Sequence, residues 1–252
     1  MSDTKLALIL AAGKGTRIAS RAGDGPKPLV KVYGTPLLEH VISGARDAGI
    51  ERIVVVIGYR GHAIKEWYAS QPIAGVQVTW IHNPDYQKAN GISVLSARKA
   101  IHENFLLLMA DHIFQPETAK SLLCQRLGDD EVILAVDRNV PRVFDLEDAT
   151  KVRLEQNRIV EIGKCLQTYN ALDTGMFLCS PGLFDWLESA ALNGNCSLSD
   201  GLRLMAEHGK FKGFDIGDSQ WQDVDTPEAL DHLDDLFPLI GTTGGLQGPA
   251  YV

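Results

Sequence analysis

The sequence predicts an α/β fold: a mostly parallel mixed sheet with helices on both faces and an inserted β-rich lobe. Three observations carry that expectation. The runs Leu6–Ala11 (LALILA), Arg52–Ile57 (RIVVVI) and Phe105–Ala110 (FLLLMA) are aliphatic at nearly every position, as strands buried on both faces require. Helix-length amphipathic stretches separate these runs, which is the rhythm of a parallel sheet with crossover helices. After Glu131–Val136 short strands follow one another closely, and these mark the lobe. The first half therefore reads as Rossmann-like.

Taken in order, Leu6–Ala11 is the first strand and runs directly into glycines. A helix is expected over Pro36–Ala48, with Thr35 as N-cap, Pro36 at the first helical position and Gly49 as the stop. Arg52–Ile57 is the second strand, Gly61–Ala69 a helix, Val76–Ile81 the third strand and Ile92–His102 a helix leading into Phe105–Ala110. Right-handed crossovers put the carboxyl ends of such strands, and hence a ligand, along one edge. In the lobe, Thr150–Leu154 and Arg158–Ile162 flank Gln156-Asn157, a hairpin signal. Leu172–Cys179 and Phe211–Asp215 are strands; Pro181–Ala191, Leu198–His208 and Pro227–Leu236 are helices, the last capped by Thr226. No repeat or linker divides the chain. One domain over 1–240 is expected, with the glycine-rich stretch 241–252 as a mobile tail.

The 252 residues are 45% hydrophobic and 22% charged, enough for a sizeable core. A net charge of -8 argues against a nucleic-acid binder, which carries a basic face. A small anionic substrate stays compatible, because a few local cations can oppose the global sign. No apolar run reaches the roughly 18 residues a membrane span needs. The opening MSDTKLALIL lacks the basic start and small-residue cleavage site of a secretory signal. Cys124, Cys165, Cys179 and Cys196 form no CxxC pair and read as free thiols. A cytoplasmic location is the expectation.

Three segments carry chemistry. The first strand ends in LAAGKGTR, Leu10 to Arg17, and a polar loop then leads to PKPL, Pro26 to Leu29. Glycines behind a buried strand let backbone amides approach phosphate oxygens. A Walker loop is excluded, since Leu8 stands where its first glycine belongs and Gly15 follows Lys14. A dinucleotide fingerprint fails at Ile18. The glycines alone are equally a plain strand-to-helix turn. Arg17 and Lys27 shift the balance, because two cations at this edge suit a triphosphate.

Asp111 follows the strand FLLLMA at the position where ligand-contacting groups gather. It reads either as a cap for the next turn or, facing a phosphate loop, as a Mg²⁺ ligand. His112 beside it carries little weight. Asp223 and Asp225 alternate around Val224, so they project to one side before Thr226-Pro227-Glu228 opens a helix. The plainer alternative is support for that helix N-terminus.

Together, LAAGKGTR, PKPL, the strand-end Asp111 and the late DVDTPEAL segment resemble the nucleotidyltransferases that activate sugar phosphates and related alcohol phosphates. NGISVLSARKA at 90–100, FLLLMADHIF at 105–114 and the stretch 148–178 are most similar to CTP:inositol-1-phosphate cytidylyltransferases. Bacterial phosphocholine cytidylyltransferases are similar more loosely, through the first half.

The resemblance implies a nucleotide-binding half at about 1–136 and an acceptor-binding half at about 137–240. It implies that Gly13, Gly15, Thr16 and Arg17 hold the phosphates of CTP, with Leu10, Ala11 and Ala12 beside base and ribose. Asn90, Gly91 and Ser93 would border the base. Lys27 would stabilise charge on the α-phosphate, and Asp111 and Asp225 would share Mg²⁺ with Asp223 as helper. Lys164 would meet the acceptor's phosphate, although a lysine ending a hairpin is by itself usually just solvated. Asp173 and Gly175 would line the acceptor pocket, with Arg142 and Lys151 as nearby basic candidates.

The implied acceptor is inositol 1-phosphate. Alternatives are phosphocholine, which calls for an aromatic cage that the scattered Trp80, Tyr86, Tyr169 and Trp221 do not spell out, and aminoethylphosphonate or a sugar 1-phosphate. A catalytically silent nucleotide-binding regulator is the rival of another class. In the resembled pathway a membrane-bound CDP-alcohol phosphotransferase consumes the product, here expected as a separate partner. A homodimer is compatible with the sequence.

Overall fold

A computed structural model of the chain describes residues 4–18, 21 and 25–233. The expected tail at 241–252, and the end of the last helix, lie outside the described residues. In chain order, β1 (Leu6–Ala11) is followed by β2 (Lys31–Val32), β3 (Thr35–Pro36) and α1 (Leu37–Asp47). Then come β4 (Arg52–Ile57), α2 (Gly61–Ser70), β5 (Gln77–His82), α3 (Asn90–Ser96), β6 (Phe105–Met109), β7 (His112–Phe114) and α4 (Pro116–Leu123). The second half holds β8 (Val132–Asp137), β9 (Lys151–Glu155), β10 (Arg158–Gly163), β11 (Ala171–Cys179), α5 (Leu183–Ala190) and α6 (Leu198–Glu207). It closes with β12 (Phe211–Asp215), β13 (Trp221–Asp223) and α7 (Pro227–Asp231).

Nine strands make one sheet in the order β5-β4-β1-β6-β11-β8-β12-β10-β9. The first four are mutually parallel. β11 runs antiparallel to β6 on one side and to β8 on the other, and its first residues also pair with β9. Alternation along each strand divides the core between the two faces. Leu6 and Leu8 of β1 join the side packed by α3, α5 and α6. Ala7, Ile9 and Ala11 join the side packed by α1, α2 and α4. That division is why the strands read as continuous apolar runs rather than alternating ones.

Several local expectations change. Thr35 and Pro36 do not begin the helix but pair with Lys31 and Val32. Tyr33 and Gly34 both take positive φ (50° and 82°), the geometry of a two-residue hairpin turn. Helix α1 then starts at Leu37 with no side-chain cap. The helix expected over Ile92–His102 is shorter and earlier, α3, followed by a 3₁₀ turn at Arg98–Ala100. β7 and α4 were not expected. β7 exists because it pairs with β13 more than a hundred residues away, placing Asp223 opposite His112. Among the described residues no helix is long and apolar enough to cross a membrane.

Two features aim side chains at the carboxyl edge of β1 and β6. A satellite core of Ile18, Val30, Val32, Leu37, Ile113, Val224 and Leu233 anchors the PKPL loop and the chain around Asp225 together. In β11, the register with β8 shifts between Asp173 and Phe177, and Gly175 lies there with φ of +75°, as a bulge requires. Because β11 opposes β6, its beginning lies just beyond β6, beside Asp111.

The main core sets a first expectation. Phe105 is fully buried and stacks on Phe184 with ring centroids 5.6 Å apart. Phe105→Ala is expected to cost about 3–5 kcal/mol, read as a lower urea midpoint at unchanged slope.

Candidate active site

The site starts where β1 gives out. Gly13 has open space where a side chain would stand, so the backbone there is accessible to a ligand. Gly15 has φ of +60°, and an added Cβ would fall 2.3 Å from the Cβ of Lys27. Glycine is therefore required for Lys27 to pass. The PKPL segment forms a short turn in which the Leu29 N–H donates to Pro26 O and the Val30 N–H to Lys27 O, both at 2.9 Å. That turn sends the Lys27 side chain inward until 6% of it is exposed.

The Lys27 ammonium donates to Asp111 Oδ2 at 2.6 Å and to Asp225 Oδ1, and lies 3.9 Å from Asp223 Oδ1. Burial works against its charge, but the three carboxylates outweigh it and raise its pKa. The same balance holds for Asp111, where burial is outweighed by Lys27 and His112 and the carboxyl stays well below its usual range. His112 resists burial through Asp223 and Asp111, which push its pKa up to about 9. Charged, it donates from Nδ1 to Asp111 Oδ1 at 2.8 Å, its ring parallel to Trp221 with centroids 6.0 Å apart. Asp223 is the group left over. Burial, reinforced by Asp111 and Asp225 against the pull of His112 and Lys27, raises it to about 7. Its Oδ1 is buried and without a hydrogen-bond partner.

Above this floor, Arg17 reaches out from the glycine loop after β1 to Asp225 and to Asp148 Oδ2, the latter at 2.5 Å. Asp148 Oδ1 accepts from Lys164 Nζ at 2.7 Å. A cavity of about 260 Å³ opens here, lined by Lys164, Asp148, Asp173, Gly175, Asp223 and Asp225 among others. Asp173 accepts the Gly175 N–H at 2.8 Å, and burial raises its pKa to about 6. Gly175 has no room for a side chain, since a Cβ would sit 2.5 Å from the His112 ring.

The remaining expected residues divide. Thr16 is exposed on the glycine loop, Leu10 is half-buried, and Ala11 and Ala12 are buried at the end of β1. The Ala12 carbonyl accepts from the Tyr59 N–H at 2.9 Å. Asn90 lines the cavity and accepts the Leu198 N–H at 2.8 Å. Gly91 packs so closely that a Cβ would lie 2.6 Å from Cys196 O, and buried Ser93 accepts from Asn83 Nδ2 at 3.0 Å. Arg142 also lines the cavity, but Asp137 at 3.1 Å and the carbonyls of Gly217 and Ser219 hold it. Lys151 is buried and donates to Glu147 O.

Sequence reasoning missed Asp148 and Asp137 and gave His112 too little weight. Asp137 is fully buried and accepts from the Trp221 indole at 2.9 Å. It ends the aliphatic run VILAVD as Asp111 ends its own, so the same signal was available. Asp148 lies in an irregular segment that offers none.

These groups fit a hard divalent cation. Asp148, Asp223 and Asp225 bring carboxylate oxygens within 4.8 Å of one another, and Asp111 and Asp223 bring carboxylate oxygens equally close to a ring nitrogen of His112. Oxygen donors suit Mg²⁺, and the buried Asp223 Oδ1, which accepts no hydrogen bond, is free to serve as one.

Residues 7–202 match the MobA-like NTP transferase domain. A Rubrobacter xylanophilus protein named bifunctional IPC transferase and DIPP synthase is 39% identical over 246 residues, 96% of this chain and 54% of that one. A protein of the same name from Thermococcus kodakarensis is 32% identical, covering 89% of this chain and 48% of its own. The chain thus spans about half the length of the curated relatives it matches. Among solved structures, the inositol-1-phosphate CTP transferase from T. maritima superposes with a TM-score of 0.81 at 26% identity, over 93% of this chain and 98% of that one. A UDP-glucose pyrophosphorylase complexed with UDP-glucose reaches 0.77 at 18% identity, over 92% and 97%, a likeness of fold.

The raised Asp173 gives a pH-dependent expectation. Its folded pKa lies above the unfolded value, so the native state binds the extra proton and loses stability as pH rises from about 4 to 6. Asp173→Asn keeps the acceptor for Gly175 and removes the charge. In ligand-free protein it is expected to be no more stable than the parent near pH 4 and about 1–2 kcal/mol more stable at pH 7. Urea titrations at the two pH values check this.

Proposed function

The chain belongs to the MobA-like NTP transferases, and from that premise we propose that it is a Mg²⁺-dependent cytidylyltransferase joining CTP to inositol 1-phosphate. The acceptor phosphate oxygen attacks the α-phosphorus of CTP, the α–β bridging bond breaks, and pyrophosphate leaves with a CDP-alcohol formed. The observation that carries the reading is the buried Lys27, seated with Asp111 and Asp225 beside the cavity that Lys164 and Asp173 line. The choice of CTP and inositol phosphate is supported by the names of the relatives and of the T. maritima structure.

The acceptor phosphate is largely ionised near neutral pH, with a second pKa of roughly 6, so no general base is required. Alignment and charge stabilisation remain for the protein to supply. Gly13, Gly15 and Thr16 offer the loop that approaches the triphosphate, and Arg17 and Lys27 oppose its charge. Leu10, Ala11, Ala12, Asn90, Gly91 and Ser93 form the proposed border of the nucleoside. Lys164 takes the acceptor phosphate, and Asp173 beside Gly175 takes polyol hydroxyls. Asp111 and Asp225, with Asp223, would hold Mg²⁺, which supplies Lewis-acid neutralisation of the triphosphate when bound. The reaction is proposed to take place in the cytoplasm, its product going to a CDP-alcohol phosphotransferase.

The test is pyrophosphate release with Mg²⁺ and CTP across inositol 1-phosphate, phosphocholine, aminoethylphosphonate and glucose 1-phosphate. Turnover is expected with inositol 1-phosphate alone, and turnover with another acceptor would overturn the choice. Tight CTP binding without turnover on the whole panel would favour a silent regulator. Lys27→Ala and Asp111→Ala are each expected to lose at least about a hundredfold in kcat while remaining folded. Near-parental kcat in either folded variant would remove its assignment.

A further inference from the structure

Asp148 joins the two halves of the site through one carboxylate. Oδ2 accepts from Arg17, 131 residues earlier, at 2.5 Å, and Oδ1 accepts from Lys164, 16 residues later, at 2.7 Å. The two cations are long, exposed side chains, 49% and 54% accessible, each with about 2 kcal/mol of rotamer entropy when unconstrained. Asp148 is the fixed member of the three. Its own N–H donates to Asp145 Oδ1 at 3.3 Å, and the Ala149 N–H donates to Asp145 O at 3.1 Å, closing a turn beneath it.

Arg17 has five N–H donors and Lys164 three. Arg17 directs one nitrogen to Asp148 and another to Asp225, and Lys164 makes one contact to Asp148. Donors therefore remain on both cations for phosphate oxygens while Asp148 stays in place.

We propose that Asp148 is a positioning residue, whose two oxygens hold the phosphate-loop cation Arg17 and the acceptor-lobe cation Lys164 in the alignment at which the two substrate phosphates meet. This rests on the reading of the site as a nucleotidyltransferase centre. It separates Asp148 from residues that bind substrate. Removing it takes an anion away from two anion-binding cations, which favours ground-state binding, yet it frees both cations to wander, which weakens alignment. Exposed ion pairs contribute little to stability, so the fold is unaffected.

The experiment compares the parent enzyme with Asp148→Asn, whose amide retains one accepting oxygen and cannot bridge two cations. In the pyrophosphate-release assay kcat is expected to fall about tenfold or more, with KM for CTP and for the acceptor unchanged or lower. The thermal midpoint stays within about 2 °C of the parent. In a Lys164→Ala background the same substitution is expected to cost at least about threefold less than in the parent, because one of the two cations it aligns is already gone.

An unchanged kcat beside an active parent would overturn the proposal, as would raised KM values at parental kcat. Recovery of Asp148→Asn by tenfold more Mg²⁺ would also overturn it, by making Asp148 a metal ligand instead. A silent parent on the whole acceptor panel would overturn the nucleotidyltransferase reading, and this inference with it.

Discussion

A single buried ammonium organises the molecule's working edge. Lys27 keeps 6% of its side chain in solvent and carries its charge against Asp111, Asp223 and Asp225. Removing such an ion from water is costly unless opposite charges and hydrogen bonds receive it, and the fold supplies both from three distant segments. Gly15 stands aside for the Lys27 stem. The satellite core built on Ile18, Val30 and Val224 fixes the loop that carries the lysine to the chain that carries Asp225. The short β7–β13 ladder sets His112 opposite Asp223, and the Val224 N–H donates to Asp111 O at 2.9 Å. None of these segments makes a site alone.

Charge within the cluster is close to balanced by its own residues, and that has a chemical consequence. Lys27, Arg17, Lys164 and protonated His112 face Asp111, Asp148, Asp223 and Asp225. Burial, reinforced by the repulsion of Asp111 and Asp225, falls on Asp223, whose pKa rises to about 7. A divalent cation among these oxygens would relieve the repulsion, and a polyphosphate would then offset the excess positive charge. The protein's own ion pairs thus hold in place the groups that the substrates of such a reaction would meet.

The strands of the first half were legible because burial on both faces leaves a mark at every position. Leu6–Ala11 and Arg52–Ile57 occur with the expected bounds. Asp111 was legible because a carboxylate at the end of an aliphatic strand has no packing role, and Asp223 and Asp225 because they alternate around Val224 and so project to one side. What escaped depends on partners remote in sequence. β7 is three residues long and exists only through β13. Thr35 looks like a cap until Tyr33 and Gly34 turn the chain back. Gly91 and Ser93 were expected beside a base only through the resemblance, and their packing against Cys196 and Asn83 appears only when distant segments meet. Asp148 had no local pattern, because its importance lies wholly in the two cations it joins.

β11 brings a second kind of wall to the edge where β1 and β6 end. Parallel strands present only their carboxyl ends to a ligand edge, so a sheet of β4, β1 and β6 lines that edge with the loops that follow them. Inserting a strand antiparallel to β6 brings the beginning of a strand to the same edge. Asp173 still pairs with Val136 of β8 and lines the cavity; the ladder is interrupted after it, at the bulge around Gly175, and Phe177 and Leu178 resume pairing in the core. A side chain at position 175 would strike His112, the residue that orients Asp111. The strand that carries Asp173 to the cavity is thus in direct contact with the ring that hydrogen-bonds Asp111, and the two sides of the cluster cannot be adjusted independently.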